Sequence, residues 1–402
     1  MTDAAGSPHS GRDGVPASRD TANRNTSIDV IRALCLIMIF VNHVPGNPLE
    51  RLTTKNFGFS DAAEIFVLLS GVSAAYAYGA KYRQGARLVT TLKIWRRSGV
   101  LYVAHLATTV ATLGIFSFLV IVYAKPELLE AINIGPVMTE PAKALVGLVT
   151  LGHQLGYNNI LPVYAIILLL LPLFLAIGER SLTIMVALSG AIWLVSGYLQ
   201  IGLPNYPNDG VWFLNPLSWQ FLFVIGIAAA LHLRRAGALP ARRDLVLASI
   251  AYLVLSFAWV RIPLWGVDAS FGLPAVLTGF DKTFLSLPRL IHVLAAGYLI
   301  AMIPQLGQIF RLSVRHPLSV LGRHALPVFL LGTLLSMAAQ AWRIAHGSTN
   351  LSDIAMVSGG TMLLFALAWF LEWHRELSGS RPAARSGQTP DLVLSTLVAR
   401  GD

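Results

Sequence analysis

Three ionisable side chains share the first apolar run of the sequence. It begins Ser27-Ile28-Asp29-Val30-Ile31-Arg32 and ends Phe40-Val41-Asn42-His43. A helix turns about 100° per residue, so Arg32 and His43 return to within about 20° of one face, with Asp29 about 40° to the other side. The axial rise from Arg32 to His43 is about 16 Å, half the thickness of the hydrocarbon core of a bilayer. One helical face therefore offers a carboxylate and a cation near one membrane surface and an imidazole toward the other. Two readings fit. Asp29 and Arg32 form an i,i+3 ion pair that anchors the helix, with His43 an interfacial residue; or the stripe joins an anion-binding cation to a general base.

The second apolar run enters through Ser60-Asp61-Ala62-Ala63-Glu64. Asp61 as N-cap with Glu64 three residues on suits a helix start. The same carboxylates lie at the level of His43 and would suit orienting its ring. Ser70-Gly71 reads as a close helix-packing point. The third run is introduced by Lys93-Ile94-Trp95-Arg96-Arg97 and contains His105. That cluster is either a topology signal or a receiver for an anionic cytosolic ligand such as the phosphates of coenzyme A. The connections after the third and fifth runs mix aromatic and amide groups: Asn159 with Tyr157, and Trp212, Asn215 and Trp219 around Asn205–Pro216. Such a mixture suits sugar rings, and equally an interfacial aromatic belt. Asp281, Lys282, Arg289 and His292 open the eighth run, while His316 and His324 read as solvated cytoplasmic histidines. No HExxH pair, GxSxG elbow or carboxylate-rich metal cluster occurs, so no metal site is expected.

What must position these residues follows from composition. The chain has 402 residues, 55% hydrophobic and only 12% charged, with mean hydropathy +0.63. So few charges cannot clothe a water-soluble surface of this size, which excludes a soluble enzyme, a disordered scaffold and a fibrous repeat. The long Leu/Ile/Val/Ala runs are helical in style and unlike the alternating strands of an outer-membrane barrel. Ten spans are expected, at 28–45, 61–79, 97–123, 160–177, 181–199, 217–234, 244–262, 285–304, 319–341 and 353–373. A weaker stretch at 142–151 reads as re-entrant or interfacial. Residues 1–26 and 377–402 read as flexible tails around a membrane domain at 27–376. Of the 30 basic residues, 21 fall on the side of the tails and seven on the other. That bias places both termini in the cytoplasm. The net charge of +10 thus reports topology, and no folded basic face suggests nucleic-acid binding. The lone Cys35, in an apolar run, excludes an intrachain disulfide.

The fold class is an all-α polytopic membrane protein of about ten helices. Asp29-x-x-Arg32-x10-His43 resembles the first-span element of the integral-membrane acyltransferase-3 superfamily, whose bundle the chain is then expected to adopt. More narrowly, the chain resembles the OpgC family, succinyltransferases of osmoregulated periplasmic glucans. The matching stretches are Gly58–Gly71, Asn159–Tyr164, Trp212–Gln220, Asp281-Lys282-Thr283 with Arg289-Leu290-Ile291-His292, and Gly322–Leu326. They run in order over about residues 27–340.

The resemblance implies a multi-pass protein of the bacterial inner membrane that moves a succinyl or acetyl group from cytosolic acyl-CoA to a periplasmic glucan or other glycan. It implies His43 as base or acyl carrier, with Asp61 or Glu64 holding its tautomer. Asp29, Arg32, Arg96 and Arg97 would take the donor. Asn159, Trp212, Asn215, Trp219, Asp281, Arg289 and His292 would take the acceptor. The superfamily's Arg-x-x-Arg element is matched at Arg97 but not at its second position, where Val100 stands. A transporter or flippase for a small polar or saccharide substrate fits ten spans and buried polar groups too, as does a structural scaffold for glucan synthesis. The sequence is silent on oligomeric state.

Overall fold

A computed structural model describes residues 26–379 apart from 263 and 268–269. The tail readings therefore lie outside the described residues, except that the last helix runs to Gly379 and takes in the first residues assigned to the C-terminal tail. The principal helices are α1 (Thr26–Asn42), α2 (Ala62–Ala74), α3 (Arg87–Tyr123), α4 (Ile160–Arg180), α5 (Leu182–Leu199), α6 (Pro216–Ala236), α7 (Arg243–Arg261), α8 (Leu287–Met302), α9 (Pro317–Arg323), α10 (Ala325–His346) and α11 (Asn350–Gly379). Helix α2 continues through a wide turn at Ala75–Gly79 into Ala80–Arg83. The described residues contain no β-strand, only an isolated bridge between Pro204 and Val211.

Eight of these helices are long and apolar enough to cross a membrane; α1 and α8, at 17 and 16 residues, fall just short of that length. Large apolar side chains face outward, among them Leu247 at 67% and Trp369 at 68% exposure. Lipid is the solvent that suits such a surface, and the molecule is an all-α polytopic membrane protein. The weaker stretch folds as the short helix Pro141–Val149.

Two sequence expectations are corrected. Helix α3 starts at Arg87, ten residues before the expected third span, so Lys93, Arg96 and Arg97 ride on a helix. The expected ninth span is two helices, α9 and α10, broken at His324. Pro327 explains the break: in a continuous helix its ring would meet the carbonyl of Arg323 four residues earlier.

Small residues set how closely the helices approach. Gly71 of α2 lies against the Phe223 carbonyl of α6, and a Cβ on Gly226 of α6 would stand 3.2 Å from the Gly71 Cα. This is the packing point read from Ser70-Gly71. Gly322 lets α9 press on the Asp29 backbone of α1, which brings Arg323 alongside Arg32. Cys35 is buried and free. Replacing Gly71 by Val forces α2 and α6 apart. We expect a loss of about 1–3 kcal/mol, read as a lower unfolding temperature of the detergent-solubilised protein.

Candidate active site

Two hollows lie on either side of one partition. The first, about 370 Å³, is lined by Arg32, Arg97, Arg323, His324, Tyr164 and the first turn of α10. The second, about 240 Å³, is lined by His43, Asp61, Lys282, Tyr157, Asn159 and Phe213 among others. Ile160 and Phe329 line both. The Asp29–Arg32–His43 stripe of α1 thus reaches the two hollows at its two ends.

The first hollow is cationic. Arg32 donates to Ser73 Oγ at 2.5 Å and to Asp29 Oδ1 at 3.3 Å, so the expected i,i+3 pair is present. Arg97 lines the hollow and Arg96 does not. Arg323 adds a third guanidinium, from α9. Glu372 of α11 holds that arginine in an ion pair and bonds His324 Nε2 at 2.9 Å. His324 is therefore not a solvated histidine, as its sequence neighbourhood suggested. The first turn of α10 lines the hollow, and its positive dipole end adds to the arginines.

The second hollow holds the imidazole. His43 follows the last residue of α1, and its ring stacks on Tyr157 with centroids 4.5 Å apart. Its carbonyl accepts from Gln340 at 2.6 Å, which fixes the backbone beneath the ring. Among the described residues no hydrogen bond joins the ring to either carboxylate. Asp61 caps α2 by accepting from Ala63 N at 2.8 Å, and pairs with Lys282. Glu64 is wholly buried. It closes the capping box on Asp61 N at 2.9 Å and takes Arg289 Nη2 at 2.5 Å and Nε at 2.8 Å. Of the two carboxylates, Asp61 shares the imidazole's hollow and Glu64 stands behind it. No group of three or more His, Cys, Asp or Glu side chains among the described residues is disposed to hold a metal.

The remaining sequence candidates divide sharply. Asn159 lines the hollow. Trp212, Asn215 and Trp219 are buried, with their polar atoms engaged inside the fold. Trp212 Nε1 donates to the Pro204 carbonyl at 3.1 Å. Asn215 caps α6 at Leu217 N and donates to Ser196 Oγ at 2.9 Å. Trp219 Nε1 donates to the Lys282 carbonyl at 3.0 Å. Asn215 and Trp219 thus buttress the segment that delivers Lys282 rather than lining the hollow. Asp281 is exposed and caps its own turn at Thr283 N. Arg289 serves Glu64 and lies 3.6 Å from Asp61. His292 bonds Ser60 Oγ at 2.6 Å, with Gly58 against its ring so closely that no side chain fits there. The aromatic wall comes instead from Phe213, the neighbour of Trp212, which stays 50% exposed.

His153, in the loop before α4, is buried beside Asn208. Burial holds its imidazolium below the usual histidine value, only partly offset by a hydrogen bond with the Asn133 backbone. The unfolded chain takes up that proton near pH 6.5 and the folded chain resists it. The stabilisation is complete above that pH and is lost as pH falls below it. The unfolding temperature should drop on acidification, and less steeply in His153→Gln. A second measurement concerns Glu64. Arg289→Met leaves a buried carboxylate uncompensated and should cost about 3–5 kcal/mol. Adding Glu64→Gln should restore part of the loss in a double-mutant cycle read by thermal unfolding.

The family model described as OpgC protein matches residues 24–376, which includes every residue of both hollows. No curated protein matches the chain. The match covers most of the sequence, and the chain belongs to the OpgC family.

Proposed function

We propose that the protein is a transmembrane O-acyltransferase of the inner membrane, with both termini in the cytoplasm. It takes a succinyl or acetyl group from cytosolic acyl-CoA and places it on a hydroxyl of a periplasmic glucan. Family membership supports acyltransferase activity in general. The observation that carries the finer reading is the pair of hollows, one cationic and one holding His43, that meet at Ile160 and Phe329.

In this reading the phosphates of coenzyme A sit against Arg32, Arg97 and Arg323, where planar guanidinium forks suit phosphate oxygens. The pantetheine arm runs toward Ile160 and Phe329 and presents the thioester to the second hollow. A sugar hydroxyl approaches His43 from the opposite side. His43 takes the hydroxyl proton as the oxygen attacks the thioester carbonyl. The C–O bond forms, the C–S bond breaks, and the proton passes to the departing thiolate of coenzyme A. Stacking on Tyr157 holds the ring without consuming either nitrogen, which leaves one free to accept. Asp61 and Lys282 supply the local field.

His43→Ala should lower acyl transfer by at least about a hundredfold. The readout is mass spectrometry of periplasmic glucans from a deletion strain carrying wild type or variant. A succinyl increment restored only by wild type supports the reading and identifies the acyl group. Full acylation by His43→Ala would remove the base and, with it, the proposed chemistry. Arg97→Ala should instead raise the KM for acyl-CoA.

A further inference from the structure

We infer that the polar groove formed by residues 46–56 and Asn350 is the binding site for the acceptor, a neutral oligosaccharide. This rests on the acyl-transfer reading and names where its second substrate lies. The groove has a volume of about 270 Å³, and Glu50 and Lys55 line it as well as the His43 hollow. The two therefore adjoin, with Glu50 and Lys55 standing between the open groove and the hollow of the imidazole.

The segment that builds the groove is fixed to the end of α1. Asn47 donates to the Val41 and Val44 carbonyls at 2.9 and 2.6 Å and caps the next turn at Glu50 N. Thr53 Oγ1 donates to Asn42 Oδ1 at 2.7 Å. A ligand held here is thus held at a set distance from His43, one residue beyond Asn42.

The exposed groups are of both hydrogen-bonding kinds. Among the described residues no bond engages the Arg51 guanidinium or the Asn350 amide, and both are exposed. Lys55 pairs with Glu50, whose other oxygen accepts from Gly46 N at 2.7 Å. Asn56 spends its NH2 on the Glu50 carbonyl at 2.7 Å and keeps its oxygen. Sugar hydroxyls donate and accept at once, and a balanced set of donors and acceptors with one internal ion pair matches them. The hollow across the partition instead gathers three guanidinium groups. In the adjoining hollow, half-exposed Phe213 offers a flat apolar surface for the C–H face of a pyranose.

The test uses the full chain in detergent, with unmodified periplasmic glucan as acceptor probe and acyl-CoA as donor. Two variants are compared: Arg51→Ala with Asn350→Ala, which removes hydrogen bonds, and Asn350→Trp, which fills the groove. Loss of two such bonds should raise the acceptor KM by about tenfold while the donor KM stays at the wild-type value, a result that also reports correct folding. An acceptor KM within about twofold of wild type in both variants would overturn the inference. Equilibrium binding of labelled glucan separates the groove from the reaction. Binding by wild type that both variants lose, with no acyl transfer by the wild type itself, would keep the groove and sink acyl transfer. Equal binding by all three would sink the groove.

Discussion

The arrangement rests on a carboxylate that water never reaches. Glu64 has no exposed surface, and an ionised carboxylate in an apolar bundle is tolerated only with a cation and hydrogen bonds around it. Arg289 from α8 supplies the cation, and the Asp61 backbone N–H supplies a further bond. This one contact fixes three things together. It docks α8 on α2, starts α2 at Asp61, and holds Asp61 where Lys282 reaches it. Trp219 and Asn215 then secure the Lys282 segment from α6. The imidazole of His43 consequently faces a pair of opposite charges already satisfied by each other.

Hydropathy made the fold legible because lipid imposes one rule on every span. Apolar length marks a helix whatever its neighbours. Capping at Asp61 was legible for the same local reason: Asp and Glu three apart need only their own turn. What escaped depends on contacts between distant segments. Glu64 looked like a partner for His43 because both lie at one depth. Depth says nothing of azimuth, and Arg289, 225 residues away, claims the carboxylate. His324 looked solvated because arginine precedes it in a basic region; Glu372 on the last helix makes it part of a wall. Pro327 was the available signal for the break there. The aromatic loop was recognised and its register missed by one residue, since Trp212 turns inward and Phe213 outward.

The two hollows divide the charges that the sequence scatters. Three arginines converge on one side from α1, α3 and α9, each carried there by a different packing decision. Two of them are ion-paired, Arg32 with Asp29 and Arg323 with Glu372, as Lys282 is with Asp61 and Lys55 with Glu50 on the other side. Among the described residues Arg97 is left without a carboxylate partner on the first side, and Arg51 at the mouth of the second.

The shared wall has a further meaning for a protein that spans a membrane. Hydrogen-bonded water conducts protons, so an open water-filled path through the bundle would leak them across the bilayer. Between the arginines and the imidazole stand the side chains of Ile160 and Phe329, each 7% exposed. Neither can donate or accept a hydrogen bond. Apolar side chains of this kind interrupt a water wire. The two hollows therefore meet across a contact that offers a proton no relay.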